Sequence, residues 1–432
     1  ASDRNRKITT MALLSGGSSL LIADNTGNVS QWFEISTAQG RQFTQVREFQ
    51  ASQSEAITHL YSEQYRKSFY TMTSSGEMGL FYTTSEADLW RGYPVNSLEI
   101  SQMAIAPRAD AIIFITAANA RDNKNNTTSQ MPLLFNLEIF TVENEHPEVT
   151  WQALWQEVWY EGYPEPDYIW QSTGGDDDFE GKFSLVPITF GTMKAAFYAM
   201  LFAVPIALTA AIYTAYFMTS NMRKKVKPTI ELMEALPTVI LGFLAGLWLA
   251  PIIEQYLPAI VMLLILLPLS VFLTAFGWHN LPKQMKNIIP ETWAPIILLP
   301  VFITVAYLSF ALSPLVEQWF FGGDVRQFIT NDIGIDFDQR NALVVGIAMG
   351  FAVIPTIFSM AEDAIFSVPK HLTSGSLALG ATQWQTLVKV VLLTASPGIF
   401  SAVMMGLGRA VGETMIVLMA TGNTPILDWS IF

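Results

Sequence analysis

Two charged residues stand inside a strongly apolar stretch of this 432-residue chain. Residues 401–421 read SAVMMGLGRAVGETMIVLMAT. Arg409 and Glu413 lie four apart, a spacing that puts them on one face of a helix. Leaving either charge alone in hydrocarbon costs on the order of several kcal/mol. Each makes sense if it pairs with the other or lines a wet path. Two readings follow: a buried ion pair that fixes helix packing, or an anion path in which Arg409 meets the anion and Glu413 balances it. Gly406, Gly408 and Gly412 leave room for a close helix or a bound ion.

A second stretch, SVPKHLTSGSLALGATQWQTLVKVVLL at 367–393, reads as a short helix, a glycine and a second amphipathic segment. Such an elbow suits docking onto another protein, or lying on lipid. Other chemistry is thinly represented. Cysteine is absent, which excludes thiol catalysis, disulfides and thiolate metal sites. His59 and His146 stand alone, and no Ser/His/Asp, paired-carboxylate or metal-spaced cluster occurs. No Gly-x-x-x-x-Gly-Lys-Ser/Thr loop is present, so the chain is not expected to bind ATP. Neither a cofactor nor a metal is expected. Asp176, Asp177 and Asp178, beside Gly174 and Gly175, read as a solvated linker over 171–184 rather than a cation site.

The elements that carry these residues divide sharply by composition. Charged residues make up 14% of the chain, against about 25% in an ordinary soluble domain. Residues 1–187 hold 12 Lys+Arg and 24 Asp+Glu; residues 188–432 hold 12 and 13. The net charge of −13 argues against nucleic acid as a partner. The second part contains apolar runs long enough to span a bilayer, expected at about 190–218, 229–250, 257–278, 294–316, 341–366 and 395–420. Arg223, Lys224, Lys225, Lys227, Lys283, Lys286, Lys370 and Lys389 fall between spans on one side, and only Arg326 and Arg340 on the other. That bias places the first set in the cytoplasm and residues 1–185 outside. A helix before Ala1 and another after Phe432 are then expected.

The first part reads as short strands with Gly/Asn/Asp/Ser turns, and it repeats. Ile8 and Ile57, Gly27 and Gly76, and Trp32 and Phe81 are each 49 residues apart, and Ile57 and Ile100 are 43 apart. Periods of about 40–50 residues point to β-propeller blades, three being too few for a closed ring. An irregular β-sandwich is the alternative. Trp151, Trp155 and Trp159 fall at helical spacing. The expected fold is thus an α-helical polytopic membrane domain at 188–432, joined by an acidic linker at 171–187 to an all-β, propeller-like extracytoplasmic domain at 1–170.

Residues 374–393 resemble the EAA loop of ABC-transporter permeases: Gly380 and Leu392 match, while Ser374, Gly375, Ser376, Val390 and Leu393 depart from it. GLGRAVGETM at 406–415 resembles the signature of the phosphate-specific permeases. TFGTMKAAFYAMLFAVPI at 189–206 and ELMEALPTVILGFLAGLWLAP at 231–251 resemble helices of the same family. Residues 252–340 and 1–187 look like insertions into it. The resemblance implies a permease subunit importing inorganic phosphate across the bacterial inner membrane. It implies cytoplasmic ATPase subunits that hydrolyse ATP, a second permease subunit and a periplasmic phosphate-binding protein as partners. It makes Arg409, Glu413 and Thr414 candidates for the substrate pathway. It makes Ser374, Gly375, Gly380, Ala381 and Thr382 candidates for the ATPase-coupling loop. A sulfate or molybdate permease, or a membrane-anchored sensor, is the alternative.

Overall fold

The computed structural model describes residues 6–37, 40–53, 55–94, 100–117, 135–175, 179–280, 294–334, 337–422 and 427. The acidic triplet 176–178, Lys283, Lys286 and Trp293 lie outside them. The chain forms two compact units, Ala1–Ile188 and Thr189–Phe432.

In the first unit, strands β1 (Ile8–Leu13), β2 (Ser19–Asp24), β3 (Asn28–Thr37) and β4 (Gly40–Gln50) form an antiparallel meander. β5 (Ile57–Ser62), β6 (Ser68–Thr73), β7 (Met78–Tyr82) and β8 (Ala87–Gly92) form a second. β9 (Ile100–Ile105), β10 (Ala111–Ala117) and β11 (Phe135–Thr141) form a three-stranded third. The 49-residue repeat is structural. Ile8, Ile57 and Ile100 each begin the first strand of a sheet. Gly27 and Gly76 turn the middle hairpins at φ +87° and +85°, a region costly for any other L-residue. Ladder irregularities recur after Ile8 and Ile57, and again beside Trp32 and Phe81.

The middle sheet is buried on both faces because side chains alternate along a strand. Phe69 and Phe81 join Leu21, Val29 and Phe49 in one core. Tyr70, Met78 and Leu80 join Met103, Ile112 and Phe114 in the other. This stacking is blade-like, but the described strands do not close a ring.

Helix α1 (Trp151–Trp155) ends where Gln156 turns extended, so Trp159 is not on it and packs edge-on against Phe33 instead. A short hairpin, β12 (Trp170–Gln171) and β13 (Lys182–Phe183), follows. Buried polar contacts fasten this segment to the first two sheets. Lys67 Nζ lies 2.7 Å from Glu161 Oε2 and donates to the Ser15 carbonyl. Ser18 and Ser19 also donate to Glu161. Arg47 donates to Gln31, Glu86 and the Trp159 carbonyl, and Tyr82 to Glu180.

Helix α2 (Leu185–Ile212), whose first turn still belongs to the first unit, is extended by one wide turn to Phe217 and is followed by α3 (Ser220–Glu234) and α4 (Thr238–Leu244). α4 runs through another wide turn into α5 (Ala250–Gln255). α6 (Leu257–Asn280) and α7 (Ala294–Phe320) pack on each other, with Ser309 and Ser313 buried. α8 (Val325–Phe328) leads to α9 (Ala342–Phe366), α10 (Lys370–Ala378), α11 (Gln383–Thr386), α12 (Leu392–Gly412) and α13 (Met415–Thr421). Among the described residues, six segments are long and apolar enough to cross a membrane: Leu185–Phe217, Thr238–Gln255, Leu257–Trp278, Leu298–Ile333, Ala342–Phe366 and Gln383–Gly412.

Two expected spans are interrupted. The run at 229–250 breaks at Leu236-Pro237, because proline has no N–H to donate and pushes the residue before it out of helical geometry. The run at 395–420 breaks at Glu413, whose ψ of 99° ends α12.

Small residues set the packing. Ala195, Ala199, Ala203, Ala207 and Ala211, one every four residues of α2, are all buried. Against this stripe sit Gly346 and Gly350 of α9; a Cβ at Gly346 would lie 2.7 Å from the Tyr198 Cβ. Gly242 and Gly246 receive α13 in the same way, a Cβ at Gly242 lying 2.9 Å from the Ile416 Cα.

Candidate functional site

The site is built on three helices and one row of charges. Arg223, Lys227, Glu231 and Glu234 recur at spacings of three and four along α3, so they share a face. That face runs antiparallel along the last third of α9. Arg223 Nε lies 2.5 Å from Glu362 Oε1. Lys227 Nζ is 2.9 Å from Glu362 Oε2, close enough to pair but poorly angled for a hydrogen bond, and it also bonds Asp363. Ser359 donates to Glu231 at 2.9 Å. Thr356 donates to Glu234 at 3.1 Å. Glu362 is fully buried, so this ladder holds the two helices in one register. Burial alone would lower the pKa of Lys227, but its attraction to the Asp363 and Glu362 carboxylates outweighs that, and the net direction is upward.

Arg409, in the last turn of α12, joins the inner end of the ladder. Its Nη1 lies 2.5 Å from both Glu234 Oε1 and Thr356 Oγ1. Thr356 is ten residues from the end of α9, about 15 Å along the helix at 1.5 Å per residue. The junction therefore sits well inside the span. The Arg409 side chain is 27% exposed, and among the described residues its Nε and Nη2 make no hydrogen bond. A guanidinium is a flat fork of five donors that matches an oxyanion edge-on. Here one prong is held, and the other two nitrogens have no hydrogen-bond partner among the described residues.

The expected Arg409–Glu413 pair does not form. Helical i, i+4 proximity requires the helix to continue, and it stops at Gly412. The Glu413 carboxylate instead accepts from the Met415 and Ile416 N–H groups, satisfying the first turn of α13. Thr414 is exposed at the start of that helix. The partners of Arg409 come from Glu234 and Thr356, far away in sequence. A signal for them was present: an acidic pair, Glu231 and Glu234, extends the basic face of α3.

The elbow forms as a helix–turn–helix. Ser374 and Gly375 lie on α10 and are both exposed. Gly380 turns at φ +87°, and a Cβ there would have nothing within 4 Å. Ala381 follows it, and Thr382 caps α11 in a reciprocal box with Gln385. Ser376 and Thr386 hydroxyls, 2.9 Å apart, tie the two helices together. Leu379 and Trp384 are exposed, at 91% and 66%.

The helical unit thus combines membrane-length apolar helices, an exposed elbow and an arginine at a helix break. No family model matches the chain. It is similar over 255 residues to the probable ABC transporter permease protein YqgH of Bacillus subtilis, at 26% identity, covering 59% of this chain and 58% of that protein. Similarity to the phosphate transport system permease protein PstC of Pasteurella multocida is 26% over 253 residues, covering 59% of this chain and 61% of that one. PstC 1 of Mycobacterium tuberculosis is 24% identical over 240 residues, covering 56% and 54%. The chain thus spans less than two thirds of the length of these curated relatives.

Proposed function

We propose that this chain is a permease subunit of an ATP-driven importer of inorganic phosphate in the bacterial inner membrane. The observation that carries the reading is the Arg409 fork, with Nε and Nη2 unengaged among the described residues, in a chain whose relatives include phosphate transport permeases. In this reading residues 1–185 are periplasmic and the elbow is cytoplasmic, which the charge bias of the loops supports. ATPase subunits dock on the elbow around Ser374, Gly375, Gly380, Ala381 and Thr382, with exposed Leu379 and Trp384 as apolar anchors. A second permease subunit completes the pathway, and a periplasmic phosphate-binding protein delivers the anion. Closure of the ATPases pushes the elbow, which continues into α12 and so moves Arg409 relative to α3 and α9. Alternating access of the fork to the two sides follows. Thr414 and Glu413 line the break beyond Arg409. Phosphate is bound by charge and donor geometry, and released because one prong is already spoken for.

The test is uptake of labelled phosphate by cells expressing the chain with its partners, competed with sulfate and molybdate. Phosphate preference, and loss of uptake in Arg409→Gln, are expected. A folded, active complex that prefers either competitor overturns the substrate assignment.

A further inference from the structure

Glu234 is the residue that the phosphate reading leaves unexplained. Its carboxylate sits on Arg409 Nη1 and receives the Thr356 hydroxyl, so it already occupies part of the anion's binding surface with an anion of its own. It is the last residue of α3, directly before the break at Ala235–Pro237. The rest of α3 is anchored to α9 by Arg223, Lys227 and Glu231, so the carboxylate is held in place rather than free to swing away. The pair is partly open: the side chains of Arg409 and Glu234 are 27% and 44% exposed. Glu413, the residue expected to balance Arg409, is committed to backbone N–H groups.

We propose that Glu234 is the counter-charge that sets how tightly the Arg409 site holds its anion and how well it rejects fully ionised oxyanions. The inference rests on the phosphate-permease reading. An arriving anion meets an arginine already neutralised by a fixed carboxylate. Its attraction is reduced, and it is reduced more for a dianion than for a monoanion, because repulsion from Glu234 scales with ligand charge. A neighbouring carboxylate can also accept a hydrogen bond from the proton of a phosphate, which sulfate near neutral pH does not carry. Removing the Glu234 charge therefore tightens binding and relaxes selectivity, where a residue that merely positioned Arg409 would do the opposite.

The experiment measures phosphate uptake against concentration, with and without sulfate, for the assembled transporter carrying Glu234→Gln, Glu234→Asp or Arg409→Gln. Glu234→Gln is expected to lower the half-saturating phosphate concentration about two- to fivefold, the range of a partly exposed ion pair, and to make sulfate a better competitor. Glu234→Asp, one methylene further from Nη1, is expected to fall between Glu234→Gln and the unmodified chain. If Glu234→Gln fails to assemble, Glu234→Asp decides. A half-saturating concentration that is unchanged or raised in the variant that assembles overturns this inference alone, provided the unmodified transporter takes up phosphate and Arg409→Gln does not. If the unmodified transporter takes up no phosphate, or Arg409→Gln is unaffected, the function proposed above falls, and the inference with it.

Discussion

The β unit and the helical unit both bury basic side chains against carboxylates, yet they use them differently. In the β unit, Arg47 and Lys67 are 4% and 8% exposed, and their donors end on Gln31, Glu86, Glu161 and backbone carbonyls. Those contacts bind residues 159–161 to sheets made more than 90 positions earlier. In the helical unit the row on α3 starts with Arg223 Nε and Lys227 on fully buried Glu362, and the rest of the Arg223 guanidinium, without a hydrogen-bond partner among the described residues, is covered by the Phe366 ring. It ends differently: Arg409 keeps Nε and Nη2 without a protein partner among the described residues and is open to solvent. A saturated arginine is a fastener. One that keeps solvent-open donors, as Arg409 does, is free to exchange water for an oxyanion.

The sharpest way to break this contrast is Arg409→Gln. The amide lacks both the charge and the fork, so phosphate uptake is expected to fall on the order of 100-fold. The amount of folded transporter should change little, because Glu234 and Thr356 are partly exposed and water can replace the lost donor where they stand. Uptake close to normal, measured at equal transporter in the membrane, would make Arg409 a fastener like Arg47.

The converse change is Lys67→Met in the β unit, with Glu362→Gln as its partner on the helices. Removing one member of a buried pair leaves the other uncompensated, at about 3–5 kcal/mol. Both variants should therefore lower the unfolding midpoint and the yield. Per folded molecule, Lys67→Met should leave the half-saturating phosphate concentration unchanged. A shift in that concentration would mean that the saturated network of the β unit also serves the anion.

Much of this division was legible in the sequence. The split in charge, the apolar runs and the 49-residue repeat each follow from periodicities that do not depend on tertiary contacts, and Gly27 and Gly76 do occupy equivalent turns. The EAA-like glycine, Gly380, does turn at positive φ. The partner of Arg409 was not legible, for a specific reason. Spacing assigns partners only while a helix continues, and here it breaks at Glu413, beyond which α13 packs against Gly242 and Gly246. Glu234 and Thr356 reach Arg409 from 175 and 53 residues away, and no local pattern encodes that meeting.

The elbow offers an intermediate test. Gly380 has space around it but a backbone that disfavours a side chain, so Gly380→Ala should strain the turn by about 1 kcal/mol. In a region whose exposed Leu379 and Trp384 are proposed to receive the ATPase, that strain should appear as more ATP hydrolysed per phosphate moved, with little change in stability. Normal coupling in both Gly380→Ala and Gly380→Trp would remove the elbow from the mechanism.

The smallest effect expected belongs to Glu63, which tests whether the β unit is as fully saturated as its basic residues are. Glu63 is 2% exposed; Tyr70 donates to its Oε1 at 3.1 Å, while its Oε2 has no partner among the described residues. Burial pushes its carboxyl above the usual range, and the Tyr70 hydrogen bond only partly opposes this. The folded state therefore holds the proton more tightly than the unfolded state does. Stability from this group is full below the ordinary carboxylate range and declines as pH rises through the raised folded value. Glu63→Gln keeps the shape and removes the ionisation, so it should stabilise the unit at neutral pH by about 1 kcal/mol and flatten that decline. Unfolding midpoints followed by β-sheet circular dichroism across the acidic-to-neutral range decide the matter. Parallel profiles for the two proteins would mean that the unpartnered oxygen is solvated in solution, and that the β unit, like the Arg409 junction, keeps a polar group open to a visitor.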